Sequence, residues 1–138
     1  MTTVLVIDDE EPIRLLCSVN LAAEGIEVLE AADGPSGLEQ AREHRPDVVL
    51  LDVMMPGLDG WQVAERLLED PVTRGIPIVF LSARAERHDR ERAHRLGAVG
   101  YFTKPLDPVK LPGQLEELLR RVERGEREQL RADLLDDR

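Results

Sequence analysis

Four short polar groups carry side chains able to do chemistry together: Asp8-Asp9, Asp52, Ser82 and Thr103-Lys104. Each ends or follows an apolar, β-branched run, so each reads as the C-terminal end of a strand. In a parallel sheet all such ends share one edge, where ligands bind near the switch in strand order. Three carboxylates held close there repel and raise one another's pKa. A divalent cation resolves that conflict, and oxygen ligands favour Mg²⁺, which keeps several waters and accepts one or two carboxylates. A single strand-end Asp reads equally well as a helix N-cap. That reading does not cover an acidic pair, a third carboxylate and a lysine together. A cation beside a free carboxylate, with a lysine and a hydroxyl at hand, describes phosphoryl transfer. The carboxylate would attack to give an aspartyl phosphate, the cation and the ammonium would neutralise the transferred oxygens, and the serine would donate to the product.

The elements that must position these groups alternate. Thr3–Ile7, Ile26–Ala31, Val48–Leu51, Ile78–Leu81 and Val99–Thr103 read as strands, several of them apolar without a break, as parallel strands buried on both faces are. Helical patterns cover about Pro12–Glu24, Gly37–His44, Gly60–Glu69, Glu86–Leu96 and Pro108–Glu123, with Pro12 suited to a first turn and Gly25 to a helix end. Five strands alternating with five helices predict a doubly wound α/β fold, a five-stranded parallel sheet with helices on both faces. After Arg121 apolar residues thin out and charges alternate, so residues 1–122 read as the domain. Residues 123–138 read as a charged tail: a frayed helical extension, a disordered end or a connector.

A length of 138 residues suits one domain, and 42% hydrophobic residues suffice for its core. The net charge of -10 argues against sequence-independent nucleic-acid binding, which needs a basic face. Residues 1–119 hold all of it, with 12 basic against 22 acidic residues, while the remainder is neutral. No apolar run approaches a membrane span, Met1-Thr2-Thr3 lacks a charged signal region, and lone Cys17 can form no internal disulfide. A cytoplasmic protein is expected.

The motifs Asp8-Asp9, Leu51-Asp52-Val53-Met54-Met55-Pro56-Gly57-Leu58-Asp59-Gly60, Leu81-Ser82-Ala83 and Gly100-Tyr101-Phe102-Thr103-Lys104-Pro105 together resemble the receiver domain of bacterial two-component response regulators, over about residues 3 to 122. The layout is similar to that of single-domain chemotaxis regulators. The resemblance implies a flavodoxin-like sheet of order 2-1-3-4-5 and a phosphoacceptor at Asp52. It implies Mg²⁺ held by Asp8, Asp9, Asp52 and the backbone carbonyl of Met54, with Lys104 contacting the phosphoryl group. It also implies a cis peptide bond before Pro105, a switch pair Ser82 and Tyr101 in which Tyr101 turns from exposed to buried, and kinetic modifiers at Met54 and Arg84. The implied partners are a sensor histidine kinase or phosphotransfer protein, or a small donor such as acetyl phosphate. Downstream, a protein target would meet the face of the fourth helix, fifth strand and fifth helix, and a phosphorylation-dependent homodimer stays open. Such a domain catalyses its own phosphorylation and slow hydrolysis without being a turnover enzyme.

Other residues read more plainly. Trp61 suits packing of the third helix, and Met54 and Met55 suit gap-filling and a partly exposed lip. His44, His88 and His94 read as surface. Arg84, Arg87, Arg90, Arg92 and Arg95, interleaved with acids, read as a solvated helix face, with docking as the alternative. A haloacid dehalogenase-type phosphatase would carry D-x-D-x-[TV] where Asp8-Asp9-Glu10-Glu11 stands, and a flavin protein would carry a small polar phosphate loop there. A phosphorylation-independent module would lack the acceptor, the acidic pair or the lysine. The remaining alternative is a receiver fragment of a longer regulator, because nothing after residue 122 is long enough for an effector domain.

Overall fold

A computed structural model describes residues 1–136; Asp137 and Arg138, at the end of the expected tail, lie outside the described residues. The strands β1 (Thr3–Ile7), β3 (Val48–Asp52) and β4 (Ile78–Ser82) are almost wholly buried, which explains their unbroken apolar sequences. The edge strands β2 (Glu27–Ala31) and β5 (Gly100–Thr103) carry polar or half-buried residues. All neighbouring strands pair in parallel, in the order β2-β1-β3-β4-β5. The helices are α1 (Glu11–Ala22), α2 (Gly34–His44), α3 (Gly60–Glu69), α4 (Arg87–Arg95), α5 (Leu111–Glu123) and α6 (Arg127–Asp133).

Because side chains alternate along a strand, Leu50 and Leu51 enter different cores. Leu51 joins Ala41, Leu67, Phe80 and Ala93 beneath α2, α3 and α4. Leu50 joins Leu21, Leu111 and Leu115 beneath α1 and α5. Three elements depart from expectation. Helix α2 starts at Gly34 instead of about Gly37, because Asp33 caps it by accepting from the Ser36 amide at 2.8 Å. Helix α5 starts at Leu111 instead of about Pro108, because Asp107 Oδ1 accepts from the amides of Val109 and Lys110 and holds them in a turn. Of the readings of residues 123–138, the helical extension is the one found, as a sixth helix that is packed and not frayed. Gly125, at a φ of 80°, ends α5, and Leu130 and Leu134 of the expected tail are buried. Among the described residues no helix is long and apolar enough to cross a membrane.

Candidate functional site

Strand register builds the site. Ile7 pairs with Leu51, so Asp8 and Asp52 emerge side by side where β1 and β3 end. Asp52 pairs with Leu81 and Ser82 with Thr103, and the Ser82 carbonyl accepts from the Lys104 amide at 2.9 Å. All four predicted groups therefore meet at one edge. The local chain fixes each of them. Asp8 Oδ1 accepts from the Glu10 amide at 2.9 Å, closing the turn into α1. Asp52 Oδ1 accepts from the Met54 amide at 3.2 Å. The next loop is stopped by Asp59, which caps α3 reciprocally with Gln62. The Lys104–Pro105 bond is cis.

Charge is concentrated here. Oxygens of Asp8, Asp9, Glu10 and Asp52 all lie within 4.8 Å of one another. The Lys104 ammonium sits 3.0 Å from Asp8, 3.2 Å from Glu10 and 3.4 Å from Asp52. Burial works to lower the lysine's pKa, but Asp8, Asp52 and Glu10 outweigh it and hold it above the usual value. The Asp52 carboxyl is pushed up to about 7, first by burial and then by the charge of Asp8, against the opposing pull of Lys104 and the Met54 amide. One ammonium cannot balance four carboxylates. Asp8 Oδ2 is buried with no directed hydrogen bond, its ion pair with Lys104 notwithstanding. A hard divalent cation would satisfy that oxygen, and the all-oxygen donor set suits Mg²⁺. Glu10 is the member that sequence reasoning missed, because a third acid in an acidic run looks like solvated surface.

The profile of the response regulator receiver domain matches residues 4–116. The chain belongs to the response regulator receiver family. It is 44% identical over 117 residues to the response regulator PleD of Caulobacter vibrioides, an alignment covering 85% of this chain and 26% of PleD. It is 40% identical over 119 residues to the phosphate regulon transcriptional regulatory protein PhoB of Escherichia coli, covering 86% of this chain and 52% of PhoB. The chain thus spans about a quarter to a half of the length of these relatives. Among solved structures it matches the Vibrio cholerae chemotaxis protein CheY4 with a TM-score of 0.81 and 31% identity, covering 86% of this chain and 98% of that one. Receivers belong to two-component systems, where they act with histidine kinases and downstream effectors.

Ser82 is buried, and its Oγ accepts from the Arg84 amide at 3.0 Å. Tyr101 departs from the expectation of an exposed ring: it is half-buried, tilted against Phe80, and its hydroxyl donates to the Arg84 carbonyl. The ring covers apolar surface and the hydroxyl finds a partner, so this inward position satisfies both halves of the side chain. Burial raises the phenol's pKa. Met54 is the exposed lip and Met55 is buried in the core. A cleft of about 460 Å³ beside the loop that follows Asp52 is lined by Met54, Trp61, Arg84 and Arg92 among others. Trp61 packs as expected, 4.6 Å from the Phe80 ring, and Arg92 stacks over it at 4.9 Å. His44 and His88 are exposed, whereas His94 is half-buried, because α6 lies against it.

Proposed function

We propose that this receiver accepts a phosphoryl group on Asp52 and thereby changes a protein-interaction surface. The observation that carries the reading is the Asp52 carboxylate set beside Asp8 and within 3.4 Å of the Lys104 ammonium at the sheet edge. One carboxylate oxygen of Asp52 attacks phosphorus, and the bond from phosphorus to the donor's nitrogen or oxygen breaks with its electron pair leaving on the donor. The product is an acyl phosphate. Asp8, Asp9, Asp52 and the Met54 carbonyl are the residues to hold Mg²⁺, with Glu10 close by. When bound, the ion supplies charge neutralisation for the phosphoryl oxygens. Lys104 contributes the second positive charge, and its pairing with Asp8 and Glu10 keeps it aimed at the site.

The donor is a sensor histidine kinase, a phosphotransfer protein or acetyl phosphate. The domain catalyses its own phosphorylation and a slow hydrolysis, and turns over no metabolite. Arg84 and Met54, flanking the approach to Asp52, suit modifiers of phosphoryl lifetime. Ser82 and Tyr101 link the phosphate to the face formed by α4, β5 and α5, where a protein target or a second copy would dock. Cytoplasmic action fits the buried free thiol of Cys17. The test is intact mass after incubation with Mg²⁺ and acetyl phosphate. Wild type should gain one base-labile phosphoryl group and Asp52→Asn none; equal gain in both would move the acceptor elsewhere.

A further inference from the structure

Helix α6 lies outside the residues that match the receiver profile, and nothing in the phosphoacceptor chemistry uses it. Its buried leucine Leu130 and its C-cap Leu134 belong to different cores. Leu130 joins the cluster of Val79, Val99 and Leu115 beneath α5, and Leu134 joins that of Ala93 and Ala98 beneath α4. A seven-residue helix reaches both layers only by passing round the end of the sheet below β4 and β5. Three arginine contacts fix it there. Arg127 donates to the Gly75 carbonyl before β4 at 2.6 Å, Arg131 to the His94 carbonyl at 3.1 Å, and Arg90 of α4 to the Asp136 carbonyl at 3.5 Å. Arg90 and His94 stand one turn apart on the same side of α4. Arg92 faces the other way, over Trp61 of α3. Helix α6 therefore sits at the lower end of α4, on the side away from Trp61.

We propose that α6 is a cis occupant of the surface at the lower end of α4, on its Arg90–His94 side, and that phosphorylation of Asp52 loosens it. The inference rests on the phosphoacceptor reading. Helix α4 is held at both ends. Above it, Arg84 gives its amide to Ser82 Oγ and its carbonyl accepts from Tyr101; below it, α6 grips the last turn. When the Ser82 hydroxyl turns to a phosphoryl oxygen, the upper restraint changes and α4 repositions. Its last turn cannot shift without straining the Arg131 bond and the Leu134 packing. Two sites that bias one element are coupled, and the coupling is reciprocal. A partner that docks on the Arg90–His94 side of α4 must displace α6, so the phosphoryl group controls access to that surface.

The test is amide exchange of the full chain with Mg²⁺, with and without beryllofluoride as phosphoryl mimic. Exchange across residues 127–135 should accelerate on adding the mimic. Reciprocally, Arg131→Ala and Leu134→Ala should bind beryllofluoride about fivefold more tightly than wild type, the lower range of coupling between sites. Arg131→Ala leaves the apolar core intact, so the test survives if Leu134→Ala folds poorly. Mimic binding with unchanged α6 exchange, or with wild-type affinity in both variants, overturns the coupling alone. No mimic binding by wild type, together with no mass gain from acetyl phosphate, overturns the phosphoacceptor reading and this inference with it.

Discussion

At the scale of single residues, the site stands on a carboxyl whose ionisation the fold disfavours. Asp52 is raised from 3.8 to about 7 by burial and by Asp8. An acid so shifted contributes stability that is fully present below its unfolded pKa and is lost as pH rises through the folded one. In a chelator, stability should therefore fall between about pH 4 and pH 7 through this group. Asp52→Asn should flatten that slope and be the more stable chain near neutral pH, by on the order of 1 kcal/mol. Thermal unfolding across this range checks it, and a slope equal in both chains would contradict it. Mg²⁺ needs the ionised form, so its affinity should rise with pH until Asp52 has lost its proton, by up to about tenfold per unit. Calorimetric titrations below and above neutrality test this. Asp9→Ala should weaken Mg²⁺ binding without loss of folding, since it removes a ligand and a repelling charge together.

At the scale of elements, what matters is how closely the turns hold the strand ends. Gly60 opens α3 and donates its amide to the Val53 carbonyl at 2.9 Å. A Cβ added there would meet the Asp52 carbonyl oxygen at 2.2 Å and Val53 Cα at 2.7 Å, both backbone atoms that cannot swing aside. Gly60→Ala should cost about 3 kcal/mol and slow phosphorylation, because relief requires moving the acceptor loop. Denaturant unfolding with a parallel rate measurement would show both losses; a stable, fully active variant would refute this placement. In the β4–α4 connection, Ser82→Ala removes the acceptor of the Arg84 amide but touches neither Asp52 nor Lys104. Phosphorylation should persist while the amide-exchange response of residues 84–104 to beryllofluoride shrinks. Equal responses in wild type and variant would mean that Ser82 is not the link.

At the scale of the molecule, most of this organisation is legible in the sequence because burial writes it there. Val4 to Ile7, Val48 to Leu51 and Ile78 to Leu81 are apolar without alternation since both sheet faces are covered, and their polar ends mark the site in the sequence itself. Less legible is whatever depends on long-range contact. Leu130 and Leu134 are spaced for a helix, but charges surround them, and only the cores that receive them reveal α6 as packed. Glu10 reads as one acid among four until the turn at Asp8 brings it to Lys104. The inward Tyr101 depends on a carbonyl seventeen residues away in sequence, at Arg84, which no local pattern announces.

Reductive trapping tests the assignment of Asp52 as the acceptor most directly. Borohydride converts an aspartyl phosphate to homoserine and leaves a free aspartate untouched, so peptide mass spectrometry of the reduced chain reads out the acceptor position. After treatment with Mg²⁺ and acetyl phosphate, homoserine is predicted at position 52 and at no other aspartate. Homoserine at Asp8, Asp9 or Asp59 with an unmodified Asp52 would contradict the account.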